Sequence, residues 1–397
     1  MLSLASIVRA ESAQDPWLTG SVRMAYWSGT RTLDDDRGTG SAALWLKGER
    51  QLDAVTFVAE GWARSDDLLR SESTLRARAR EAYLQYAQGE TRVRLGQQLI
   101  VWGRADQINP TDNLTPRDLT LLTPDAGDDR MGAWAVKLDR RIAGHVATVV
   151  WLPLFRPNIT PFPGGLPITE RGQPSAQQWA VKLDHSSGQG ADWSVSYFSG
   201  RDLAPNLRLD PSGAIAAAHP RISVIGGDFA VPVGSFGLRG EAGYTRTEDD
   251  GPRPTRKRPF SFAVLGIERT FGGTFNVNAQ WYRYQTHGFA DPAAIADPVL
   301  RQIAFVQASQ SHQLKRIDQG VTLRLADKWI NETLEGEILL VRDASLGDRF
   351  VRARITYALD DHTRVTAGAD VFRGPEFSAF GLLHKNSAGF VELRYSW

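Results

Sequence analysis

The chain has 397 residues, and its 46 basic residues nearly balance its 45 acidic residues, which argues against a nucleic-acid-binding protein. It has no cysteine, which excludes disulfide scaffolds and thiolate metal sites. It also has no run of about 18 apolar residues, which excludes a transmembrane helix.

The N-terminal segment 1–16 stands apart from the rest of the chain. Its stretch LSLASIVRA fits the end of a secretory signal peptide cleaved after Ala10, although it is short and lacks a basic region. An ordinary N-terminal tail is the alternative. Either interpretation leaves 17–397 as one domain.

Apolar and polar residues alternate through most of that domain. In TRVRLGQQL, Val93 and Leu95 oppose Arg92 and Arg94. Segments of about 10 residues with this period of two have the length of a tilted strand that crosses a bilayer.

Short and long connections alternate between these segments. The short ones lie at 47–51, 88–90, 140–144, 186–190, 232–235, 271–273, 326–331 and 359–361. The long ones lie at 30–40, 65–72, 103–131, 153–175, 201–219, 248–259, 287–315, 343–348 and 374–386. This pattern predicts an all-β fold: a single closed transmembrane antiparallel β-barrel of about 18 strands, with short periplasmic turns and long extracellular loops.

Tryptophans cluster near the predicted strand ends. The eight residues concerned are Trp17, Trp27, Trp62, Trp102, Trp151, Trp193, Trp329 and Trp397. We expect them in the two aromatic girdles at the membrane interfaces. A soluble β-sandwich or propeller with a tryptophan core is the alternative, but an arginine-rich inner face has the wrong polarity for it.

A barrel of this size encloses a lumen wide enough for water, so its inward residues set its chemistry. Arg76, Arg78 and Arg80 share a face of the predicted fourth strand, and Arg92 and Arg94 share a face of the fifth. Guanidinium groups in series favour anions. We therefore take these five as candidate pore-lining residues.

A second arginine group lies nearer the C-terminus. Its members are Arg324, Arg352, Arg354 and Arg364, and we take Arg352 and Arg354 as further candidates for the pore lining. Glu335 and Glu337 lie on the intervening strand, so the alternative is that these charges only satisfy one another in the wall. Arginine-lined lumens also occur in alginate-export barrels, which the chain resembles in size and general pattern.

The connection 103–131 is the first long loop with an unusual composition. Its candidate constriction residues are Arg104, Asp106, Asp112, Arg117 and Asp118, and further acids follow at 125, 128 and 129. The apolar LTLL must be buried, either by folding into the lumen or by packing under other loops. Thr115 and Pro116 predict a short helix over 116–122. Acids on the loop opposite arginines on the wall would create a transverse field.

The residues around this loop resemble a large family of proteobacterial outer-membrane proteins. The shared pattern is Gly-x-Gln, then Trp-Gly, then Asn-Pro, carried here by Gly96, Gln98, Trp102, Gly103, Asn109 and Pro110. The resemblance implies a porin-like barrel. It also implies that the chain works beside inner-membrane exporters on hydrophobic or polymeric cargo.

Three other long connections carry weaker patterns. The segment 154–174 fits a lid or an ordinary extracellular loop, and the basic 253–258 fits a lipopolysaccharide contact or a solvated loop. The segment 291–310 has apolar residues at helical spacing. It predicts a helix either over the mouth or on the barrel rim.

Catalytic patterns are weak. The seven histidines form no metal-binding spacing, and Ser309, Ser311 and His312 are only neighbours in sequence. We therefore expect no enzyme activity, no catalytic residues, no cofactor and no metal.

The final residues GFVELRYSW place Val391, Leu393, Tyr395 and Trp397 on one face. This resembles the C-terminal recognition signal of Gram-negative outer-membrane barrels. The resemblance implies a location in the bacterial outer membrane, contact with its lipid and lipopolysaccharide, and handling by the barrel-assembly machinery.

Together these patterns predict a passive outer-membrane channel for small, preferentially anionic solutes, with 103–131 as the constriction. A conduit for polysaccharide or lipid-like cargo that works with periplasmic transport partners is one alternative. A barrel that encloses a partner protein is another. No nucleic-acid partner is expected, and both a monomer and a trimer remain open.

Overall fold

A computed structural model describes residues 17–29, 38–67, 74–160, 168–170, 177–188, 190–209, 214–249, 251 and 255–397. The predicted tail or signal remnant at 1–16 lies outside these residues. So do parts of several long connections, including most of 154–174 and the first two residues of the basic segment 253–258.

Eighteen strands form one large sheet. In chain order they are β1 (Leu18–Gly29), β2 (Gly38–Leu52), β3 (Val55–Asp66), β4 (Thr74–Gln88), β5 (Thr91–Gln98), β6 (Ala133–Ile142), β7 (His145–Leu152), β9 (Gln178–His185), β10 (Asp192–Arg201), β13 (Arg221–Val233), β14 (Phe236–Glu248), β15 (Phe260–Phe271), β16 (Phe275–Thr286), β17 (Ile317–Trp329), β18 (Leu334–Asp343), β19 (Arg349–Ala358), β20 (Thr363–Arg373) and β21 (Ala388–Ser396). Each pairs antiparallel with the next, and β21 pairs with β1. The predicted closed barrel is confirmed.

The closing strand shows how the alternating sequence sets the two faces of the wall. Val391, Leu393 and Tyr395 are 44%, 44% and 50% exposed, whereas Glu392 between them is 5% exposed. Its partner β1 repeats the pattern, because Met24 opposite Leu393 is also exposed. The apolar face therefore points out of the barrel toward lipid, and the polar face points into the lumen.

Two short turns lie away from their predicted positions. The β2–β3 turn is at 53–54 instead of 47–51, and the β17–β18 turn is at 330–333 instead of 326–331. Strands β2 and β17 both continue through charged residues that are typical of turns in sequence. Strands of such barrels extend beyond the apolar band, so charged residues near a strand end do not mark the turn.

The tryptophan prediction is only partly right. Trp17, Trp329 and Trp397 are exposed on the outside, as expected for a girdle. Trp27 and Trp62, in contrast, are 4% and 5% exposed and lie on the lumen face of their strands. Trp102 is also buried, within the loop that follows β5. Position near a strand end does not determine which face a residue occupies. Successive side chains point to opposite faces, so the face depends on whether the residue holds an odd or an even position in the strand.

A second, smaller structure lies at the long-loop end of the barrel. Strands β8 (Ile168–Glu170), β11 (Asn206–Leu209) and β12 (Ile215–Ala218) form a three-stranded sheet, and helix α1 (Pro298–Gln310) packs Ile303 against Leu207 and Ala217. Asp297 caps α1 by accepting hydrogen bonds from the amides of Val299 and Leu300. The helix predicted within 291–310 is therefore present.

Helix α1 reaches across the mouth of the barrel. It belongs to the connection between β16 and β17, yet Gln307 accepts a hydrogen bond of 2.7 Å from the amide of Leu207, between β10 and β13. Phe305 stacks on Phe377, between β20 and β21, with ring centroids 4.8 Å apart. Within the described ranges, no helix is long and apolar enough to cross a membrane.

Candidate functional site: a loop folded into the lumen

The connection between β5 and β6 turns inward and lies against lumen-facing residues. Ile100, Trp102 and Leu114 of this connection form one apolar cluster with inward side chains of strands β6 to β13. The other members of the cluster are Ala133, Ala135, Val150, Leu152, Ala180, Phe198, Ile222 and Val224. Burial of this apolar surface holds the start of the loop against one side of the wall.

The first half of the loop is anchored on a single wall carboxylate. Glu241 of β14 is 3% exposed, and it accepts hydrogen bonds from the amides of Arg104, Ala105 and Thr111 at 3.1, 3.2 and 2.7 Å. Gly103 makes this approach possible, because a Cβ there would lie 2.4 Å from a Glu241 oxygen. Its φ of +98° also favours glycine.

Charged side chains extend this anchor to both sides. Arg104 donates to Asp228 of β13, and at 2.9 Å to Asp184 of β9. Asp106 accepts from Arg324 of β17 at 2.8 Å. The loop therefore bridges strands that are well separated around the barrel.

The second half of the loop contacts the opposite part of the wall. Asp118 pairs with Arg78 of β4 at 2.9 Å, and Asp128 pairs with Arg23 of β1 at 2.7 Å. Arg80 donates to the carbonyl of Gly127 at 2.8 Å. Wall arginines therefore hold this half of the loop through carboxylates and backbone carbonyls.

Asp125 lies at the centre of this arrangement. It accepts from Arg394 of β21 at 2.6 Å and from Arg354 of β19 at 3.3 Å. Burial alone would raise the pKa of Asp125, but the positive charges of Arg394, Arg354 and Arg23 outweigh burial and hold that pKa below its usual value. The carboxylate form is therefore favoured where the loop meets the wall.

Two of the predicted constriction residues serve the loop itself. Asp112 pairs with Arg130 at 2.6 Å, and Arg117 pairs with Asp129 at 3.1 Å. Burial raises the pKa of Asp112, and the neighbouring Arg130 and Arg117 oppose that effect. The structure therefore divides the five candidates: Arg104, Asp106 and Asp118 reach the wall, and Asp112 and Arg117 brace the loop.

The predicted helix over 116–122 is wrong. Arg117 and Asp118 form isolated bridges with Arg130 and Ile159 instead. The Thr115 hydroxyl, expected to cap a helix, accepts from the Ile100 amide and donates to the Ile100 carbonyl, both at 2.8 Å. Contacts between distant parts of the loop therefore override the local helix propensity of 116–122.

The predicted pore-lining arginines have different partners. Arg78, Arg80 and Arg354 hold the loop, as described above. Arg352 forms a bidentate pair with Asp370 at 2.6 and 2.7 Å, and Arg76 donates to Asp66 at 2.6 Å. Arg94 donates to the amide oxygen of Gln85 at 2.8 Å. Arg92 is exposed close to the β4–β5 turn.

The second arginine group has the acidic neighbour that the sequence suggested. Glu337 lies between Arg324 and Arg354, at 3.5 and 3.1 Å. Glu335 lies 3.7 Å from Lys328 instead. Because Arg324 also holds Asp106 and Arg354 also holds Asp125, one continuous chain of charges links the loop to this part of the wall.

Sequence reasoning missed an aromatic contact beneath the loop. Trp45 of β2 and Trp62 of β3 lie with ring centroids 6.1 Å apart, and Leu121 packs with both in one buried cluster. The guanidinium of Arg23 lies 4.1 Å from the Trp45 ring centre. The alternation of side chains along SAALWLKG would have identified Trp45 as inward, because its neighbours Leu44 and Leu46 occupy the other face of the strand.

No protein-family model matches the sequence, and no curated protein matches it significantly. Its structure is similar to OccK5 (OpdH) of Pseudomonas aeruginosa, at 11% identity over 96% of each chain with a TM-score of 0.55. It is also similar to OccAB4 of Acinetobacter baumannii, at 12% identity over 96% of this chain and 97% of that one with a TM-score of 0.54. A variant of the Rh. blastica porin matches more loosely, at 13% identity over 96% and 99% of the two chains with a TM-score of 0.45. The first two similarities show a shared fold: a closed barrel of 18 antiparallel strands with the apolar exterior and polar lumen of outer-membrane barrels.

Proposed function

We propose that the protein is a porin-like channel of the bacterial outer membrane through which small solutes diffuse passively. The observation that carries this proposal is a closed, polar-lined barrel whose lumen is crossed by one loop pinned to the wall. An 18-stranded wall leaves an interior that side chains alone do not fill. The loop 103–131 then acts as the constriction that sets the size and charge of what passes.

We propose further that the lumen favours anions. Arg92, Arg156 and Arg364 make no ion pair within the described part of the chain, and Arg94 bonds only to an amide. Burial lowers the pKa of Arg156, and repulsion from Arg78 lowers it further. Most other lumen arginines are matched by acids, so this uncompensated set decides the net preference.

Planar-bilayer recording of the full chain tests both parts of the proposal. Steady conductance steps support the channel, and the reversal potential in a salt gradient reports its selectivity. Replacing Arg92 and Arg94 with Ser should shift the reversal potential toward cation preference, because neither residue holds the loop. An unchanged reversal potential would contradict the proposed anion preference but would not contradict the proposal that the protein is a channel.

Replacing Arg76, Arg78 and Arg80 with Ser perturbs more than charge. Arg78 and Arg80 anchor the loop, so this variant should change conductance as well as selectivity. Comparing this variant with the Arg92 and Arg94 variant therefore distinguishes the effect of lumen charge from the effect of moving the constriction.

A conduit for polysaccharide or lipid-like cargo is the second candidate. For large cargo to pass, both helix α1 at the mouth and the loop pinned on both sides would need to move. A barrel that stays closed in bilayers but captures a periplasmic transport partner would support this candidate. Contacts with lipopolysaccharide and with the barrel-assembly machinery belong to either proposal.

A further inference from the structure

Three arginines form a row on the outer surface of the barrel. Arg342 of β18 lies directly opposite Arg349 of β19, and Arg349 lies directly opposite Arg373 of β20. All three are exposed, and the next residues on the same face, such as Val351 and Val371, are apolar. Adjacent strands are about 4.8 Å apart, so this exterior arginine row is about 10 Å long.

No acid of the described chain compensates the exterior arginine row. Within the described ranges none of its members makes an ion pair, and Arg373 donates to the carbonyl of Phe372 at 3.3 Å. The nearby acids Asp343 and Asp370 are 4% and 6% exposed and belong to the lumen face. Like charges in opposite positions destabilise a sheet, so an anion from outside the chain would stabilise this part of the wall.

The exterior arginine row lies at one boundary of the apolar outer surface. The outward face of β19 runs from Arg349 through apolar residues to Tyr357. These eight residue steps cover about 26 Å of strand, or about 20 Å across the membrane at the usual tilt, which is close to the height of an apolar band. The row is at the long-loop end, where 374–387 follows β20, and the longer loops of such barrels are extracellular. It therefore lies at the level of the headgroups of the outer leaflet.

A groove on the same outer surface lies toward the membrane interior from the row. Its volume is about 620 Å³, and small or apolar residues line most of it, among them Ala353, Ala367, Ala369, Ile338 and Leu325. Ala353 and Ala369 are four residues from the row along their strands, or about 13 Å. One leaflet fills about 15 Å of the hydrocarbon core. An acyl chain whose headgroup lay at the row would therefore reach the groove.

We propose that the exterior arginine row and this groove form a specific binding site for lipopolysaccharide, the phosphorylated glycolipid of the outer leaflet. Guanidinium groups bind phosphate oxygens in bidentate fashion, and a row about 10 Å long fits a headgroup that carries more than one phosphate. A phospholipid with a single phosphate would neutralise only part of the row. Any barrel in this membrane touches lipid, whereas this site retains one molecule of defined chemistry. The inference rests on the outer-membrane location and not on conduction.

The test uses the full chain folded in a neutral detergent without lipopolysaccharide. Native mass spectrometry measures the binding of purified lipopolysaccharide, and heat-dependent gel mobility gives the unfolding temperature of the barrel. The combined variant Arg342→Gln, Arg349→Gln and Arg373→Gln should bind at least about tenfold more weakly, because it loses charge-assisted hydrogen bonds. Without lipid it should unfold at a higher temperature than the wild type, since repulsion within the row is removed.

A matched control changes an outward arginine at the other end of the wall. Arg50 is exposed close to the β2–β3 turn, opposite the exposed Phe57. Arg50→Gln should leave the binding of lipopolysaccharide unchanged. The combined variant should conduct in bilayers as the wild type does, because the row does not face the lumen, so loss of this site leaves the proposed channel unaffected.

Two comparison lipids define the chemistry of the site. Lipopolysaccharide from which the phosphates have been removed, and phosphatidylglycerol with its single phosphate, should each bind the wild type at least about tenfold more weakly than native lipopolysaccharide. Equal binding of either lipid would overturn the proposal. So would native lipopolysaccharide that binds the combined variant as tightly as it binds the wild type, since the row would then be merely solvated.

Discussion

Replacing Asp125 with asparagine removes the carboxylate that two wall arginines share. Arg394 and Arg354 would keep Glu392 and Glu337 as partners, at 2.7 and 3.1 Å, so neither is left without an acid. The loop loses its charge-assisted contacts at this point and keeps its shape, because asparagine is nearly isosteric. The variant therefore isolates the electrostatic attachment of the second half of the loop.

The expected magnitude follows from the contacts and their exposure. Hydrogen bonds to charged groups contribute about 1.5–3 kcal/mol each when buried. Asp125 is 38% exposed, so solvent screens the interaction, and we expect about 1–2 kcal/mol for the whole site. A difference of that size changes the equilibrium between pinned and released loop by a factor of about 5–30.

Single-channel recording and hydrogen exchange of 118–130 measure this release. We expect faster exchange, a larger or noisier conductance and a shift toward anions, because the lumen loses one negative charge. Asp129→Asn is the matched control, since its carboxylate pairs with Arg117 inside the loop, at 3.1 Å. If Asp125→Asn behaved like this control in all three measurements, the idea that wall arginines pin the loop would be wrong.

Three further predictions address the same loop. Trp45→Ala should destabilise the barrel, by up to about 3–5 kcal/mol for loss of a buried tryptophan, and should lower its thermal unfolding temperature. Glu241→Gln should speed hydrogen exchange of 104–111 and leave 118–130 unchanged, because its contacts are confined to the first half. Since the folded pKa of Asp125 is below its unfolded value, its contribution is present above about pH 4 and is lost as the pH falls through the folded value. Exchange of 118–130 should therefore stay slow at neutral and mildly acidic pH and increase only under more acidic conditions.

The wall of the barrel was largely predictable because the sequence pattern that determines each strand is local. Alternation with a period of two fixes which face each residue of a strand occupies. The pattern of short and long connections gave the correct number of strands. The alternation also placed Glu392 inside and Leu393 outside. Turn positions were less certain, since charged residues such as those at 47–51 occur both in turns and at the ends of long strands.

The contacts of the loop could not be predicted in the same way. Asp125 and Arg394 are 269 residues apart, and only closure of the barrel brings them together. The predicted helix over 116–122 was wrong for a related reason, because the backbone there bonds to Arg130 and Ile159 instead of to itself. Composition indicated that acids on the loop would face arginines on the wall, but not that most would be in direct contact.

The wall and the loop depend on each other electrostatically. Arg23, Arg394 and Arg364 lie directly opposite one another on three adjacent strands, and like charges in such positions destabilise a sheet. Asp125 and Asp128 supply the negative charge that this row needs. A loop that left its position would expose the row, in which Arg394 would keep only Glu392, and solute anions would then compensate the remaining positive charge. Movement of the loop and entry of an anion are therefore expected to be coupled, which is why release of Asp125 should increase conductance and anion preference together.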